Sequence, residues 1–285
     1  MPQLKKITDE KQLKRIANTI RINIIKSLVE AKSGHSAGPL GMADVFTALY
    51  FNVARHDPKN PWWTERDRIV LSNGHICPVW YATLAQAGYF PVDELKTLRK
   101  LNSRLQGHPH LGEPPGVENS GGPLAQGASL AIGKALAARL DKKKHRIYCL
   151  TSDGEHQEGQ FMEAMMLAGN YKLDNLCFIV DRNNIQIDGD TEDVSPLEPL
   201  RAKYEAFKWH VLEVDGHNFH QIIDACEEAK TIHDQPTVII AHTIPGKGVS
   251  FMENDYQWHG KPPTPEQAAV ALKELEEIAR QIEKE

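Results

Sequence analysis

The residues with the clearest chemical potential lie between Tyr148 and Gly189. Two short apolar runs, Arg146 to Thr151 and Leu176 to Val180, each end in small polar residues. The first ends in Ser152-Asp153-Gly154 and the second in Asp181-Arg182-Asn183-Asn184. A helix-like segment separates them, so the order reads strand, turn, helix, strand, turn. In a parallel sheet these two turns fall side by side at one edge. Asp153 would offer a carboxylate there, Asn183 an amide oxygen and Ile185 a backbone carbonyl. Such oxygens suit a hard divalent cation, and magnesium keeps water and substrate phosphates in its other positions. Gly154 would let the backbone approach a phosphate closely. A helix starting near Glu155 would direct its amide end into the same crevice. The same residues admit a plainer reading, with Asp153 as a helix cap and Asn183-Asn184 as a turn.

The histidines bear on that choice. There are 13, and five stretches place them in Gly-containing loops: Ser33-Gly34-His35, Asn73-Gly74-His75, Gly107-His108-Pro109-His110, Asp215-Gly216-His217 and Trp258-His259-Gly260. One loop histidine is ordinarily a surface residue. Five such loops argue for a ring around an anionic substrate, because imidazole can donate hydrogen bonds, carry charge or move protons near neutral pH. Zinc spacing is absent, and there is no H-E-x-x-H.

The elements that must position these groups follow from periodicity. Thr8 to Lys32 carries apolar residues at Leu13, Ile16, Ala17, Ile20, Ile24, Leu28 and Val29, a helical spacing. A Gly/Pro turn leads to a second helix near Met42. Arg68 to Ser72 is a strand ending at Asn73-Gly74-His75, followed by a helix from Trp80 to Ala87 and another over Val92 to Leu101. Asn102 to Gly122 is a long Gly/Pro/His loop, a type that is usually functional. Leu124 to Leu140 is an Ala/Gly-rich helix. Thr191 to Glu198 reads as a polar turn and Tyr204 to Lys208 as a helix. His210 to Val214 is a strand, Phe219 to Lys230 a helix and Thr237 to His242 a strand. A Gly/Pro/Lys loop, Ile244 to Pro263, leads to an amphipathic helix, Thr264 to Glu285. Strands alternating with helices throughout predict an α/β fold, a doubly wound, mainly parallel sheet. There is no internal repeat or linker, so residues 1–285 are expected to form one domain.

Composition narrows the function classes. A chain of 285 residues, 41% hydrophobic and 25% charged, can bury a large core. A net charge of −5 argues against a general nucleic-acid binder. No apolar run approaches the roughly 20 residues needed to cross a bilayer. The N-terminus, MPQLKKITDEKQ, has no apolar signal core, so a cytoplasmic location is expected. Cys77, Cys149, Cys177 and Cys226 are scattered without a C-x-x-C pair, and they read as buried thiols.

Together these residues resemble the thiamine diphosphate-binding N-terminal part of transketolase. Five stretches carry the match: SGHSAGPLGMADVFTALY, RIVLSNGHICPVWYATLAQAGY, QGHPHLGEPPGVENSGGPLAQGASLAIGKALA, SDGEHQEG through DRNNIQIDG, and WHG near the end. The similarity runs from about residue 10 to 262. The resemblance implies a diphosphate-binding domain in which Asp153, Asn183 and the Ile185 carbonyl hold Mg2+, with Ca2+ or Mn2+ as substitutes. It implies that Gly154 contacts the diphosphate and that Gly122, Pro123 and Leu124 lie beside the cofactor ring. His75 and His259 would face cofactor and substrate. His35 and His108 would hold the sugar hydroxyls. Glu158 would face its counterpart across a contact between protomers, and His217 and Lys247 would lie near the crevice. There are departures: Ser152 stands where the family usually has glycine, and SGHPGAP becomes SGHSAGP.

The segment PGKGVSFMENDYQWHG looks closer to two-gene transketolases than to long single-chain ones. No further domain is expected after residue 285, whereas a full transketolase has two more. The resemblance therefore implies one subunit of a split enzyme, inactive by itself, working with a C-terminal subunit that carries the pyrimidine and C-terminal domains and the activating glutamate. An α2β2 assembly is expected, with its α–α contact near Glu158. Met162, Met165, Met166 and Leu167 on the following helix then belong either to the core or to that contact. The implied reaction, of the pentose phosphate pathway, is reversible transfer of a two-carbon ketol group from a ketose phosphate to an aldose phosphate. Alternatives are a split transketolase for an unusual sugar such as apulose 4-phosphate or a sulfosugar, and a non-catalytic binding module. Deoxyxylulose phosphate synthase and 2-oxo acid dehydrogenase α subunits share the Asp-Gly and Asn pattern. The paired GHP and GPL-x-QG loops favour transketolase over both.

Overall fold

The computed structural model describes residues 6–285. The reading of the N-terminus as lacking a signal core falls partly on residues 1–5, which lie outside that range. The strands are β1 (Arg68–Leu71), β2 (Ile147–Ser152), β3 (Leu176–Arg182), β4 (Ile185–Gln186), β5 (Gly189–Asp190), β6 (His210–Asp215) and β7 (Thr237–His242). Five of them form one parallel sheet in the order β1-β2-β3-β7-β6. The sequence reading is borne out here. The central strands lack polar alternation because both faces of the sheet are covered. In β3, Cys177 and Ile179 enter one core, whereas Leu176, Phe178 and Val180 enter the other.

The helices are α1 (Glu10–Ala31), α2 (Ala37–Gly41), α3 (Ala43–Ala48), α4 (Cys77–Gln86), α5 (Gln126–Leu140), α6 (Gly159–Asn170), α7 (Thr191–Val194), α8 (Leu200–Ala206), α9 (Phe219–Ala229) and α10 (Pro265–Lys284). Helices α1 to α4, α9 and α10 contribute to one core, and α5, α6 and α8 to the other. Helix α1 is capped by Asp9, whose side chain accepts from Lys11 N, and it buries Leu13, Ala17, Ile20, Ile24 and Leu28. Helix α10 starts with a capping box between Thr264 and Gln267 and has Pro265 in its first turn, where a missing N–H costs nothing. The two helices pack together, and Asn18 Nδ2 donates to the Leu275 carbonyl at 2.9 Å. All four cysteines are buried and free, as read from their spacing. Among the described residues, no helix is long and apolar enough to cross a membrane.

The structure departs from the sequence reading at several local points. The Gly/Pro stretch before Met42 is helical, because Leu40 N bonds Ser36 O and Met42 N bonds Gly38 O. The helix expected over Val92 to Leu101 is a 3₁₀ turn, Val92–Thr97. It ends because Leu98 becomes extended and Arg99 takes a φ of 58°, so the chain folds back and Arg99 N bonds Leu105 O. The helix expected to start near Glu155 is also delayed. A 3₁₀ turn, Gly154–Gln157, comes first, and α6 begins only at Gly159. Residues 185–190 form a small antiparallel hairpin, β4–β5, which the sequence did not signal.

Candidate active site

The register pairs Ser152 with Asp181, so the turns after β2 and β3 do lie side by side at the carboxyl edge of the sheet. Asp153 is fully buried. Its Oδ1 accepts from Gly154 N at 2.7 Å. Its Oδ2 accepts from Asn184 N at 2.8 Å and from Arg182 Nη1 at 3.1 Å. The cap-like contact and the strand-end position therefore coexist. Burial pushes the Asp153 pKa up, and the Arg182 charge opposes this. Arg182 is itself held by Glu192 at 2.6 Å and Glu198 at 3.0 Å.

Asn183 is oriented by its neighbours. Its Nδ2 donates to Asp181 Oδ2 at 2.8 Å, which assigns the other amide atom as oxygen. That Oδ1 accepts from Ile185 N at 3.0 Å and retains a second lone pair. Thr243 Oγ1 donates to the other oxygen of Asp181. Burial raises the Asp181 carboxyl pKa to about 7.

Among the described residues, no group of three or more His, Cys, Asp or Glu could hold a metal. The donors here are one carboxylate, one amide and one carbonyl, a set that suits a hard cation sharing its remaining positions with phosphate oxygens. Asp153 Oδ1 has a single donor and keeps a lone pair for such an ion. Gly154 points the same way. A Cβ built there meets only Gln186 Oε1, at an ordinary 3.5 Å, so the protein's own packing does not require glycine. Gly154 lines the cleft, where a side chain would take up ligand space.

That cleft has a volume of about 520 Å³. It brings together His35, His75, His108, His259, Glu158, Gly122, Leu124, Asp153, Gly154, Asn183 and Ile185. Pro123 is exposed and does not line it, although its neighbours Gly122 and Leu124 do. The rings of His35, His75 and His259 form a close triangle, with centroid separations of 5.0, 5.2 and 5.6 Å. The Nδ1 atoms of His35 and His259 are buried without a protein partner. Burial lowers all three pKa values, that of His35 to about 4, with the nearby His259, Arg99 and His108 charges adding to the effect. The triangle is therefore neutral at pH 7, and each ring can donate at one nitrogen and accept at the other. His108 sits exposed on the rim.

Short links between the loops fix this triangle. Ser36 Oγ donates to the Lys261 carbonyl at 2.6 Å and so ties the His35 loop to the His259 loop. Gly74 packs against Gly122, where an added Cβ would lie 3.1 Å from the backbone N.

Two residues expected near the crevice lie elsewhere. His217 Nδ1 meets Asp44 Oδ2 at 2.7 Å, and Ile244 N donates to His217 Nε2 at 2.8 Å. Asp44 also pairs with buried Arg21, so His217 belongs to a structural junction between α1, α3 and the strand loops. Lys247 does not line the cleft either. The turn Asp215-Gly216 shares the carboxyl edge, but β7 separates β6 from β3 and sets it aside.

Sequence reasoning missed Glu155. This side chain is fully buried and accepts from Ser72 Oγ at 2.7 Å, Ala125 N at 2.8 Å and Ser152 N at 2.9 Å. It thus joins the ends of β1, β2 and α5, and burial raises its pKa to about 7. Nothing in D-G-E-H-Q-E-G marks this Glu as buried. Asp181 and Arg182 did leave a signal, being charged residues that continue an apolar strand.

The sequence profile of the transketolase thiamine diphosphate-binding domain matches residues 12–276. This chain belongs to that family. The transketolase domain is 43% identical over 264 residues to the 6-deoxy-6-sulfo-D-fructose transketolase subunit of Clostridium sp. (strain MSTE9), covering 93% of this chain and 96% of that one. It is 42% identical over 265 residues to one of the subunits of the apulose-4-phosphate transketolase of Phocaeicola vulgatus, covering 93% and 94%. Among solved structures, transketolase from Campylobacter jejuni superposes with a TM-score of 0.85 at 34% identity, covering 97% of this chain and 48% of that one. A Pichia stipitis transketolase variant gives 0.86 at 32%, covering 97% and 45%. The transketolase domain thus spans about half the length of these solved chains and nearly the whole of the two bacterial subunits.

Proposed function

We propose that this transketolase domain is the N-terminal subunit of a split transketolase, which moves a two-carbon ketol group reversibly from a ketose phosphate to an aldose phosphate. One observation carries the reading: the cation-donor set and the neutral histidine triangle share one cleft. Asp153, Asn183 and the Ile185 carbonyl would hold Mg2+, and Gly154 would receive the diphosphate. Thiamine diphosphate supplies the carbanion chemistry of carbon–carbon cleavage when bound. The chain's own groups orient the sugar and move protons. His35, His75 and His259 can each bond a hydroxyl, donating from one ring nitrogen or accepting at the other. His108 receives the sugar at the rim.

A partner chain closes the site in this reading. Leu124, Ile187 and Val194 line the same cleft yet stay 37%, 67% and 44% exposed, an apolar wall that another chain would cover. The partner would carry the pyrimidine and C-terminal domains. Residues 1–285 would act as one diphosphate-binding domain in an α2β2 assembly.

A second reading concerns the sugar. The named substrates of the Clostridium and Phocaeicola relatives are a sulfofructose and apulose 4-phosphate, which favours an unusual donor. The test mixes this chain with the adjacent-gene product, Mg2+ and thiamine diphosphate, and assays unmodified ketose phosphates against those two sugars. Transfer is expected only with both chains present, and the preferred donor decides between the readings. No transfer from any donor at saturating cofactor would reject both.

A further inference from the structure

Between the loops that carry His35 and His108 lies a cation that neither the sequence pattern nor the family match singles out. Arg99 has a left-handed φ of 58°, unusual for a residue with a side chain, and its N–H bonds the Leu105 carbonyl at 2.9 Å. This conformation sits on the turn that follows the 3₁₀ segment Val92–Thr97. From there Nη1 donates to Ser33 Oγ at 3.0 Å, and Nη2 donates to the Gly107 carbonyl at 3.1 Å. Ser33 stands two residues before His35, and Gly107 stands one before His108.

Gly107 makes room for this guanidinium, whereas Gly34 answers to its own φ and to Leu28. A Cβ on Gly107 would lie 2.8 Å from Arg99 Cζ and 2.9 Å from Nε. Gly34 has a φ of 127°, and a Cβ there would lie 2.6 Å from Leu28 and 3.8 Å from Arg99 Nε. The two loops do not share the same other supports. Helix α4 holds the second, with Tyr81 OH on the Gln106 carbonyl at 3.0 Å and Cys77 Sγ on that of Gly107 at 3.2 Å. The first is tied on its far side by Ser36. For the Ser33 side chain, Arg99 is the hydrogen-bond partner found.

We propose that Arg99 is a positioning residue: its guanidinium spans from Ser33 to Gly107 and sets the separation of His35 and His108 across the sugar-binding side of the cleft. This rests on the reading of those histidines as sugar-facing. A planar fork suits the span, because it reaches two acceptors in fixed directions while a lysine ammonium on a flexible stem does not. Burial lowers the pKa of both imidazoles, and the Arg99 charge adds to that effect.

The test uses Arg99→Met, Arg99→Lys and Ser33→Ala in the chain combined with its partner. Two readouts are needed. The first is steady-state kinetics beside calorimetric affinity for thiamine diphosphate with Mg2+. Arg99→Met should raise the KM for the ketose about tenfold or more, the scale of one lost charge-assisted hydrogen bond, and leave cofactor affinity within about twofold. Arg99→Lys should not restore the KM, and Ser33→Ala should show a smaller rise. The second readout is amide hydrogen exchange, which needs no activity. Exchange should quicken at residues 33–35 and 106–108 in Arg99→Met and stay unchanged at 73–75 and 153–154. An unaltered KM with unaltered exchange would overturn the proposal. So would a uniform rise in exchange with a parallel loss of cofactor affinity, the mark of general unfolding. If the wild-type pair transfers nothing, the functional reading fails, and the exchange pattern still decides whether Arg99 sets the two loops.

Discussion

Asp153 combines two roles that compete in most proteins, a buried carboxylate with four donors near it and a candidate cation ligand. Replacing it with alanine should remove Mg2+-dependent retention of thiamine diphosphate while leaving the sheet intact, since β2 is already complete at Ser152. Calorimetry on the assembled complex reads this, and unchanged affinity would remove Asp153 from the ligand set. Asp181 acts one step further out by orienting the Asn183 amide. Asp181→Leu should weaken cation affinity by roughly 10–100-fold, the usual scale for a ligand's supporting partner. Equal affinity in that variant would show that Asn183 is oriented by other means. At this scale the sequence was informative where a polar residue ends an apolar run, as Asp153 and Asn183 do. It was silent on Glu155, whose burial depends on Ser72 and Ala125, residues 83 and 30 positions away.

Helices and strands were legible because helical stripes leave apolar periods, as in α1 and α10, and strands covered on both faces leave continuous apolar runs, as in β3. The short elements were not, because their geometry comes from tertiary contacts. The Arg99 reversal and the delayed start of α6 are of that kind. Two predictions belong here. Gly169, near the end of α6, faces the Phe207 carbonyl, and an added Cβ would lie 1.8 Å from that oxygen. Gly169→Ala should therefore destabilise the fold by on the order of 1–3 kcal/mol, read by chemical denaturation. A change within about 0.5 kcal/mol would mean that α8 and its following turn yield freely.

The second concerns His156, fully buried in the 3₁₀ turn, with Nδ1 2.9 Å from the Ser152 carbonyl and Nε2 2.7 Å from Tyr204 OH. Burial lowers its pKa from 6.5 to about 4. The unfolded chain then binds more protons between those values, so this group's stabilising contribution is complete above pH 6.5 and is lost as pH falls toward 4. Buried Glu155 has the opposite sign, with its native pKa raised to about 7, so its contribution falls as pH rises through that value. The difference between wild type and His156→Gln isolates the histidine. Its slope should approach about 1.4 kcal/mol per pH unit below pH 6.5. Parallel stability curves would show that burial does not depress the pKa of His156.

For the whole molecule, the exposed apolar residues point to assembly. Met165 is buried and Met162 packs against the core, but Met166 and Leu167 are 55% and 41% exposed on the same helix. The helix after Glu158 thus places Met162 and Met165 in the core and leaves Met166 and Leu167 on the surface. Met166→Glu with Leu167→Glu should lower the mass of the assembled complex by light scattering and leave the fold of the separate chain unchanged. An unchanged mass would place the contact between protomers elsewhere. The family, sheet and location of the cleft were all legible in the sequence, because the strand ends and histidine loops carry specific motifs. The assembly was not, because one chain shows only the apolar wall and not what covers it.

The central claim is that the strand ends after β2 and β3 anchor thiamine diphosphate through a divalent cation. The most direct measurement is calorimetric titration of thiamine diphosphate into the two-subunit complex, with and without Mg2+, for wild type and Asp153→Ala. Wild type should show saturable binding that requires Mg2+, and the variant should show none. Binding that is equally tight without the cation, or equally tight in Asp153→Ala, would contradict the claim.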